Sequence, residues 1–303
     1  MAYDVVVVGN AGIDTNVYLP GQDIDFSVEA NFTQNIDTIG QAGSYAARGY
    51  ASLDLKVGFI GAVGADANGA WIRQVFAGQG IGVEGFFDDP QGTSRSINIM
   101  YKDGRRKNFY DGKSHMKLKA PLELSVQMLQ GARLAHFNIP NWARELLPLA
   151  RSSGARIASD IQDVVDPADP YRKDFICNSD FLFFSAANHA DPESLMRYFW
   201  TLNPDLEIVA GMGEQGCTVG ERQNVRRYPA LSIDLPVVDT NGAGDALAVG
   251  YLVARVFDGA PPSEAARRGQ LAARFTCAQK ASSDHLITRE ILNRYLWEVH
   301  SNG

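Results

Sequence analysis

The chain is 303 residues long, 45% apolar and 21% charged, so it can bury one large core or two smaller ones. Its formal charge of −7 argues against a general affinity for nucleic acid, and a mean hydropathy of −0.17 without a long apolar run argues against a membrane span. Cys177, Cys217 and Cys277 are odd in number and far apart, and the five histidines form no HExxH, which removes a disulfide framework, a CxxC site and the common zinc-hydrolase pattern.

Met1-Ala2-Tyr3-Asp4 is not followed by the basic region, apolar stretch and cleavage site of a signal peptide, so a cytoplasmic protein acting on a small molecule is expected. Val5 to Val8, closed by Gly9, is predicted to be a strand buried on both faces. Residues 16–39 are polar and irregular. Leu55 to Ile60 reads as a strand and Ala70 to Gln79 as a helix. Ser94 to Tyr110 alternates as a hairpin, with Ile97, Ile99 and Tyr101 on one face and Asp103-Gly104 at the turn. Strands follow at Arg133 to Ile139, Arg156 to Ile161, Asp180 to Ser185 and Leu206 to Ala210. Helices fall at Trp142 to Ser152, closed by Gly154, and at Pro192 to Thr201. Beyond Gly216, Cys217 to Gly220 and Asn224 to Tyr228 resemble a hairpin, and Ala246 to Phe257 and Ala272 to Ala281 read as helices. This alternation implies an α/β fold, a mainly parallel sheet with helices on both faces. The expected division is a core of residues 1–15, 40–90 and 112–303, with 16–39 and 91–111 forming a small β-sheet lid. Decorative edge strands are the alternative reading of those two insertions. No internal repeat or low-complexity tract is present.

Chemistry is concentrated in Asp239-Thr240-Asn241-Gly242-Ala243-Gly244-Asp245, a glycine-rich turn opening an apolar helix. Unpaired N–H groups and the helix dipole make such a terminus an anion site, and glycine lets a phosphate approach the main chain. Asp245 adds a carboxylate able to accept a proton. An anion cradle beside a carboxylate is what phosphoryl transfer to an alcohol requires. A capped structural helix would show the same residues.

DTNGAGD resembles the DTxGAGD signature of the ribokinase-like (PfkB) family of carbohydrate and nucleoside kinases, a likeness that extends along the chain. The resemblance implies a three-layer α/β/α sandwich with a β-lid, ATP and Mg²⁺ as cosubstrates, and transfer of the γ-phosphoryl group to a hydroxyl of a small alcohol. It makes Asp245 the catalytic base, and Gly242, Ala243 and Gly244 with the Asp245 backbone the anion hole. Gly9 to Asp14 resembles the first strand and turn of the family, which makes Asp14 the residue holding substrate hydroxyls; a turn-forming carboxylate is the alternative. Gly40-Gln41-Ala42-Gly43-Ser44-Tyr45 keeps the first glycine of the second signature, with Gln41 for its second glycine and Tyr45 for its asparagine. Gly40, Gln41, Gly43 and Tyr45 are therefore candidate substrate residues, the two replacements bearing on substrate identity.

Asn188-His189-Ala190-Asp191 resembles the family's NxxE element, with Asn188 near the nucleotide and Asp191 holding Mg²⁺ through water; alternatively Asp191-Pro192 simply starts a helix. Asp160-Ile161-Gln162 stands at the family's D-x-N strand end. Gly211-Met212-Gly213-Glu214-Gln215-Gly216 satisfies GxGxxG, but a dinucleotide site would open a helix there. It resembles instead the family's nucleotide turn, with Gly213 and Gly216 flanking ATP. Gly112-Lys113-Ser114 lacks the first glycine of a P-loop, where Lys107 stands. Ala281 stands where the family usually has glycine, near a turn that in some members frames a monovalent cation, so a K⁺ requirement is left open. The expected acceptor is a sugar, with a nucleoside as runner-up through stacking on Tyr45 or Phe109. An NAD-dependent oxidoreductase, a non-catalytic relative and a homodimer through the lid edge complete the readings weighed.

Overall fold

The computed structural model describes residues 2–102, 105–186, 189, 191–281 and 284–301. The strands are β1 (Val5–Val8), β2 (Gly12–Tyr18), β3 (Gln34–Gly40), β4 (Val57–Val63), β5 (Gly82–Asp88), β6 (Ser94–Met100), β7 (Arg106–Asp111), β8 (Leu134–Phe137), β9 (Arg156–Asp163), β10 (Phe181–Ser185), β11 (Glu207–Gly211), β12 (Cys217–Glu221) and β13 (Asn224–Tyr228). The helices are α1 (Ala42–Ser52), α2 (Ala67–Gly78), α3 (Leu122–Leu129), α4 (Leu147–Ser152), α5 (Pro170–Asn178), α6 (Pro192–Leu202), α7 (Ala243–Leu252), α8 (Pro262–Thr276) and α9 (Arg289–Ser301).

Nine strands form the large sheet in the order β13-β12-β11-β10-β9-β8-β1-β4-β5. It is parallel from β11 to β5, with the β12–β13 hairpin antiparallel at one edge. The Val5–Val8 run shows why the fold has three layers. Side chains alternate across a strand, so Val5 and Val7 pack with residues of α1, α2, α7, α8 and α9, while Val6 and Val8 pack with those of α3 to α6. Strands buried on both faces need a continuous apolar run, and β1 has one.

A second sheet has the order β3-β2-β6-β7. Its strand β2 begins at Gly12, four residues ahead of the expected lid boundary at residue 16. The Asp103-Gly104 turn lies outside the described residues, but the antiparallel β6–β7 pair that it would join is present. The faces carry an inversion of the usual pattern. Ser94, Ser96 and Asn98 are buried, whereas Ile97 and Phe109 are 43% and 57% exposed. The polar face of this sheet therefore turns inward, where Asn98 Nδ2 donates to Asn16 Oδ1 at 3.0 Å and Asn108 Nδ2 to Asn98 Oδ1 at 2.8 Å.

Several boundaries differ from expectation. The Trp142 to Ser152 helix is split: residues Asn141–Leu146 are 3₁₀, and α4 starts where Pro148 can occupy the first turn. The glycine turn lies closer to its helix than read, because α7 starts at Ala243, and Val253–Phe257 continues it as a π-helical turn. The helix read over Ala272 to Ala281 is the end of α8, which Pro262 starts and which stops at Thr276; Ala281 itself has φ 54°. A left-handed conformation is costly for alanine, which is a physical reason for glycine at such a turn.

Candidate active site

The Asp239–Asp245 turn is fixed from below. Asp239 is buried; its Oδ1 accepts the Asn241 N–H at 2.8 Å and its Oδ2 accepts the Tyr18 hydroxyl at 2.5 Å. The chain then passes through Gly242 at φ 76°, where a Cβ would also stand 2.8 Å from the Tyr45 ring, so glycine is required for two reasons. The first intrahelical bond runs from Ala246 N–H to Gly242 O at 2.9 Å, leaving the amides of Gly244 and Asp245 in the unpaired first turn of α7. Gly244 is exposed, and a Cβ there would meet nothing within 4 Å. This open main chain fits a nucleotide's phosphates.

Asp245 sits in that first turn, half-buried, with its own backbone N–H donating to its carboxylate. Burial pushes its pKa well above the carboxylate range. The charge of Asp160 pushes it further, and Arg106 opposes the shift. Asp160, within β9, is buried and pushed up to about 6 by burial, against a hydrogen bond from Gln162 N–H at 2.8 Å. Two carboxylates that repel one another suit a hard divalent cation, which usually takes one or two carboxylates and keeps waters and phosphates as its other ligands.

The sign of the Asp160 shift gives a stability prediction. A carboxyl whose folded pKa is raised from 3.8 to about 6 loses stabilisation as pH rises across that window. Asp160→Asn keeps an acceptor for Gln162 N–H. In ligand-free protein it should add up to about 3 kcal/mol of stability above pH 6 and almost nothing below pH 4. Denaturant titrations at pH 4 and pH 8 measure this, and an equal effect at both would refute it.

Asp14, on β2, lies against Gly40 so closely that a Cβ there would stand 2.0 Å from its Cγ. Its buried carboxylate accepts from Gln41 Nε2 at 3.1 Å, the Tyr45 hydroxyl at 3.3 Å and Asn241 Nδ2 at 3.2 Å. Burial pushes its pKa up, and the Asn241 and Tyr45 side chains, the Arg106 charge and the Gln41 backbone pull it back. Asn241 Nδ2 also reaches the Tyr45 hydroxyl at 2.8 Å, so the Asp14 carboxylate and the glycine turn form one network. Gly43 allows α1 to approach the end of β1, since a Cβ there would meet Asn10 O at 2.5 Å.

Gln41 stands at φ 75°, ψ 148°, a region close to glycine-only, and its Nε2 also donates to Ser96 Oγ at 2.8 Å. Strain held in place by hydrogen bonds beside Asp14 marks Gln41 as a shaped part of the site. Gln41→Ala and Gln41→Gly both lose those bonds, and only alanine keeps the strain. Glycine should therefore be the more stable variant by about 1–2 kcal/mol, after the entropy of its unfolded chain is subtracted. Equal urea midpoints would contradict the strain.

The remaining predicted residues divide. Gly213 (φ 57°) and Gly216 (φ 93°) shape the turn after β11, where a Cβ at Gly216 would stand 2.2 Å from Tyr228 O. The turn leads into an antiparallel hairpin rather than a helix, which removes the basis of the dinucleotide reading. Asn188 lies outside the described residues. Asp191 caps α6, its Oδ1 accepting Glu193 N–H at 3.0 Å. Among the described residues, no group of three or more His, Cys, Asp or Glu could hold a metal ion, and no helix is long and apolar enough to cross a membrane.

Sequence reasoning missed the roles of Asn241, Arg106, Ser96, Tyr18 and Asn138. Asn241 occupies the variable position of the motif, and the next three come from long-range pairing. Asn138, just after β8, is 3% exposed, and neither polar atom of its side chain has a partner among the described residues. A Cβ on Gly9 would stand 2.4 Å from its Oδ1. Such sites at the carboxyl ends of parallel strands are where α/β folds bind ligands.

The family model for pfkB family carbohydrate kinases matches residues 3–289. Acarbose 7(IV)-phosphotransferase of an Actinoplanes species is 29% identical over 295 residues, covering 96% of this chain and 97% of that protein. The solved structure of a microbiome-derived acarbose kinase superposes with a TM-score of 0.90 at 27% identity, over 98% of this chain and 100% of that one. Arabidopsis thaliana ribokinase, solved with ribose and ATP, superposes at 0.81 with 19% identity, over 98% and 99%, which shows a shared fold.

Proposed function

The chain belongs to the pfkB family of carbohydrate kinases and is a phosphotransferase acting on a hydroxyl group; from that premise we propose that it transfers the γ-phosphoryl group of ATP to a hydroxyl of a sugar or sugar-like alcohol, with Asp245 as the base. The observation carrying this reading is the start of α7, where the Asp245 carboxylate and its own amide lie in the first turn next to the exposed Gly244 main chain.

Asp14 and Asn138 hold acceptor hydroxyls, and Gln41 and Tyr45 set the position of the Asp14 carboxylate. The acceptor oxygen forms a bond to the γ-phosphorus as the bond to the β-phosphate oxygen breaks, and ADP leaves with that electron pair. The hydroxyl proton passes to Asp245 Oδ, while the amides of residues 242–245 take up charge on the transferring oxygens. Gly213 and Gly216 shape the turn flanking the nucleotide. Mg²⁺, when bound, neutralises phosphate charge; Asp160, and Asp191 through water, are the carboxylates we assign to it. No step is routed through K⁺.

A sugar is favoured over a nucleoside by the placement of the two rings named for base stacking, though the Gly9 to Asp14 opening also has some likeness to nucleoside kinases of the family. Phe109 lies on the outer face of its sheet, away from Asp14, and the Tyr45 ring is buried with its hydroxyl engaged by Asp14 and Asn241. Near full-length similarity to acarbose kinases puts acarbose and other oligosaccharides among the first acceptors to try. A homodimer would pair an edge strand of the second sheet across a two-fold axis.

The test is ADP release from ATP and Mg²⁺ with acarbose, pentoses, hexoses, inositols and nucleosides. Release dependent on a sugar is expected. No acceptor-dependent ADP with any of them would overturn the reading.

A further inference from the structure

Besides the Asp14 contact with Asn241, the second sheet reaches the glycine turn along one further rung. Tyr18 on β2 pairs with Met100 on β6, and Met100 pairs with Arg106 on β7. The side-chain period of two puts Tyr18 and Arg106 on the same inward face as Asp14. Both ends of the rung hold the turn: Tyr18 donates its hydroxyl to Asp239, and Arg106 Nη1 donates to Asn241 Oδ1, one residue before Gly242. Among the described residues no carboxylate pairs directly with Arg106, whose partner is a neutral amide. A guanidinium has five N–H donors, and one bond to Asn241 leaves others for an incoming group.

The charge inventory says what that group is. Asp14, Asp160 and Asp245 bring three carboxylates to the site, and ATP adds several more negative charges. The Arg106 charge is felt by both Asp14 and Asp245, whose pKa values it lowers. We infer that Arg106 contacts the phosphoryl group in transfer, delivering from the second sheet a cation that complements the amides of the glycine turn. Because β7 carries it, full phosphoryl stabilisation requires the second sheet to be seated on the acceptor side of the cleft, which couples transfer to an acceptor in place. A guanidinium matches phosphate oxygens in geometry as well as charge and gains or loses no proton in the step.

This inference rests on the proposed phosphotransfer, so the experiment first requires acceptor-dependent ADP release by the wild-type chain; its absence sinks the functional reading itself. With turnover in hand, Arg106→Ala is expected to lower kcat by about 10²–10³-fold with the KM values for ATP and acceptor within about threefold. Arg106→Lys should retain part of the activity, and added guanidine hydrochloride at millimolar concentration should restore part of kcat in Arg106→Ala but not in Asp245→Asn. Thermal melting of both Arg106 variants separates a folding defect from a catalytic one. A loss confined to acceptor KM, or absence of guanidine rescue in a folded Arg106→Ala protein, would overturn the assignment.

Discussion

Asp245→Asn is expected to lower kcat by about 10²–10⁴-fold while leaving ATP affinity within a few-fold. Asparagine preserves the shape of the side chain and its acceptor oxygen for the local amide, so α7 and its unpaired N–H groups remain. What it removes is the group we propose takes the hydroxyl proton. The same substitution should stabilise the ligand-free protein near neutral pH. Burial and the Asp160 charge raise the Asp245 pKa, so its ionised form is penalised in the folded state as pH rises. Lower activity with unchanged or greater stability is the signature of a residue kept for chemistry. Turnover equal to wild type would remove Asp245 from the mechanism. The acid limb of kcat/KM should lie above the usual carboxylate range and move to lower pH in Asp160→Asn, because removing a neighbouring negative charge makes Asp245 easier to ionise.

Asp14→Asn is expected to reduce kcat/KM for the acceptor by about 10²–10³-fold, the equivalent of losing one or two hydrogen bonds to a charged group. The effect should be strong because Gln41, Tyr45 and Asn241 all donate toward this carboxylate, and an amide nitrogen would turn one acceptor into a donor facing them. ATP binding should be unaffected, since Asp14 lies on the second sheet, on the side we propose for the acceptor. Steady-state kinetics with the acceptor varied at saturating ATP measures the split. An effect confined to the KM for ATP would show that Asp14 does not hold the acceptor.

Particular residues show what could be read from sequence. The Val5–Val8 run and the later apolar runs carry enough β-branched or aromatic character to declare buried strands, and the glycines of the Asp239–Asp245 turn declare a helix entry with an open main chain. The hairpin after Gly216 was legible because alternation continued where a dinucleotide site needs a helix. What escaped depends on distance along the chain. Arg106, Tyr18 and Asn241 meet only because β2 and β6, some eighty residues apart, pair in parallel, and no local pattern encodes that register. The inward turn of Ser94, Ser96 and Asn98 runs against the usual burial rule, because that face holds hydrogen-bonded polar side chains in place of an apolar core. The α8 boundary was lost because the alanine-rich stretch Ala272 to Ala281 gives no stop signal, while a left-handed Ala281 is invisible in composition.

The most direct measurement is a crystal structure of the chain with ADP, Mg²⁺ and aluminium fluoride, a planar stand-in for the phosphoryl group in flight. The account predicts the fluoride within hydrogen-bonding distance of the Gly244 and Asp245 amides, with the Asp245 carboxylate on its far side from ADP. Fluoride seated away from that turn, or a carboxylate directed out of the cleft, would contradict it.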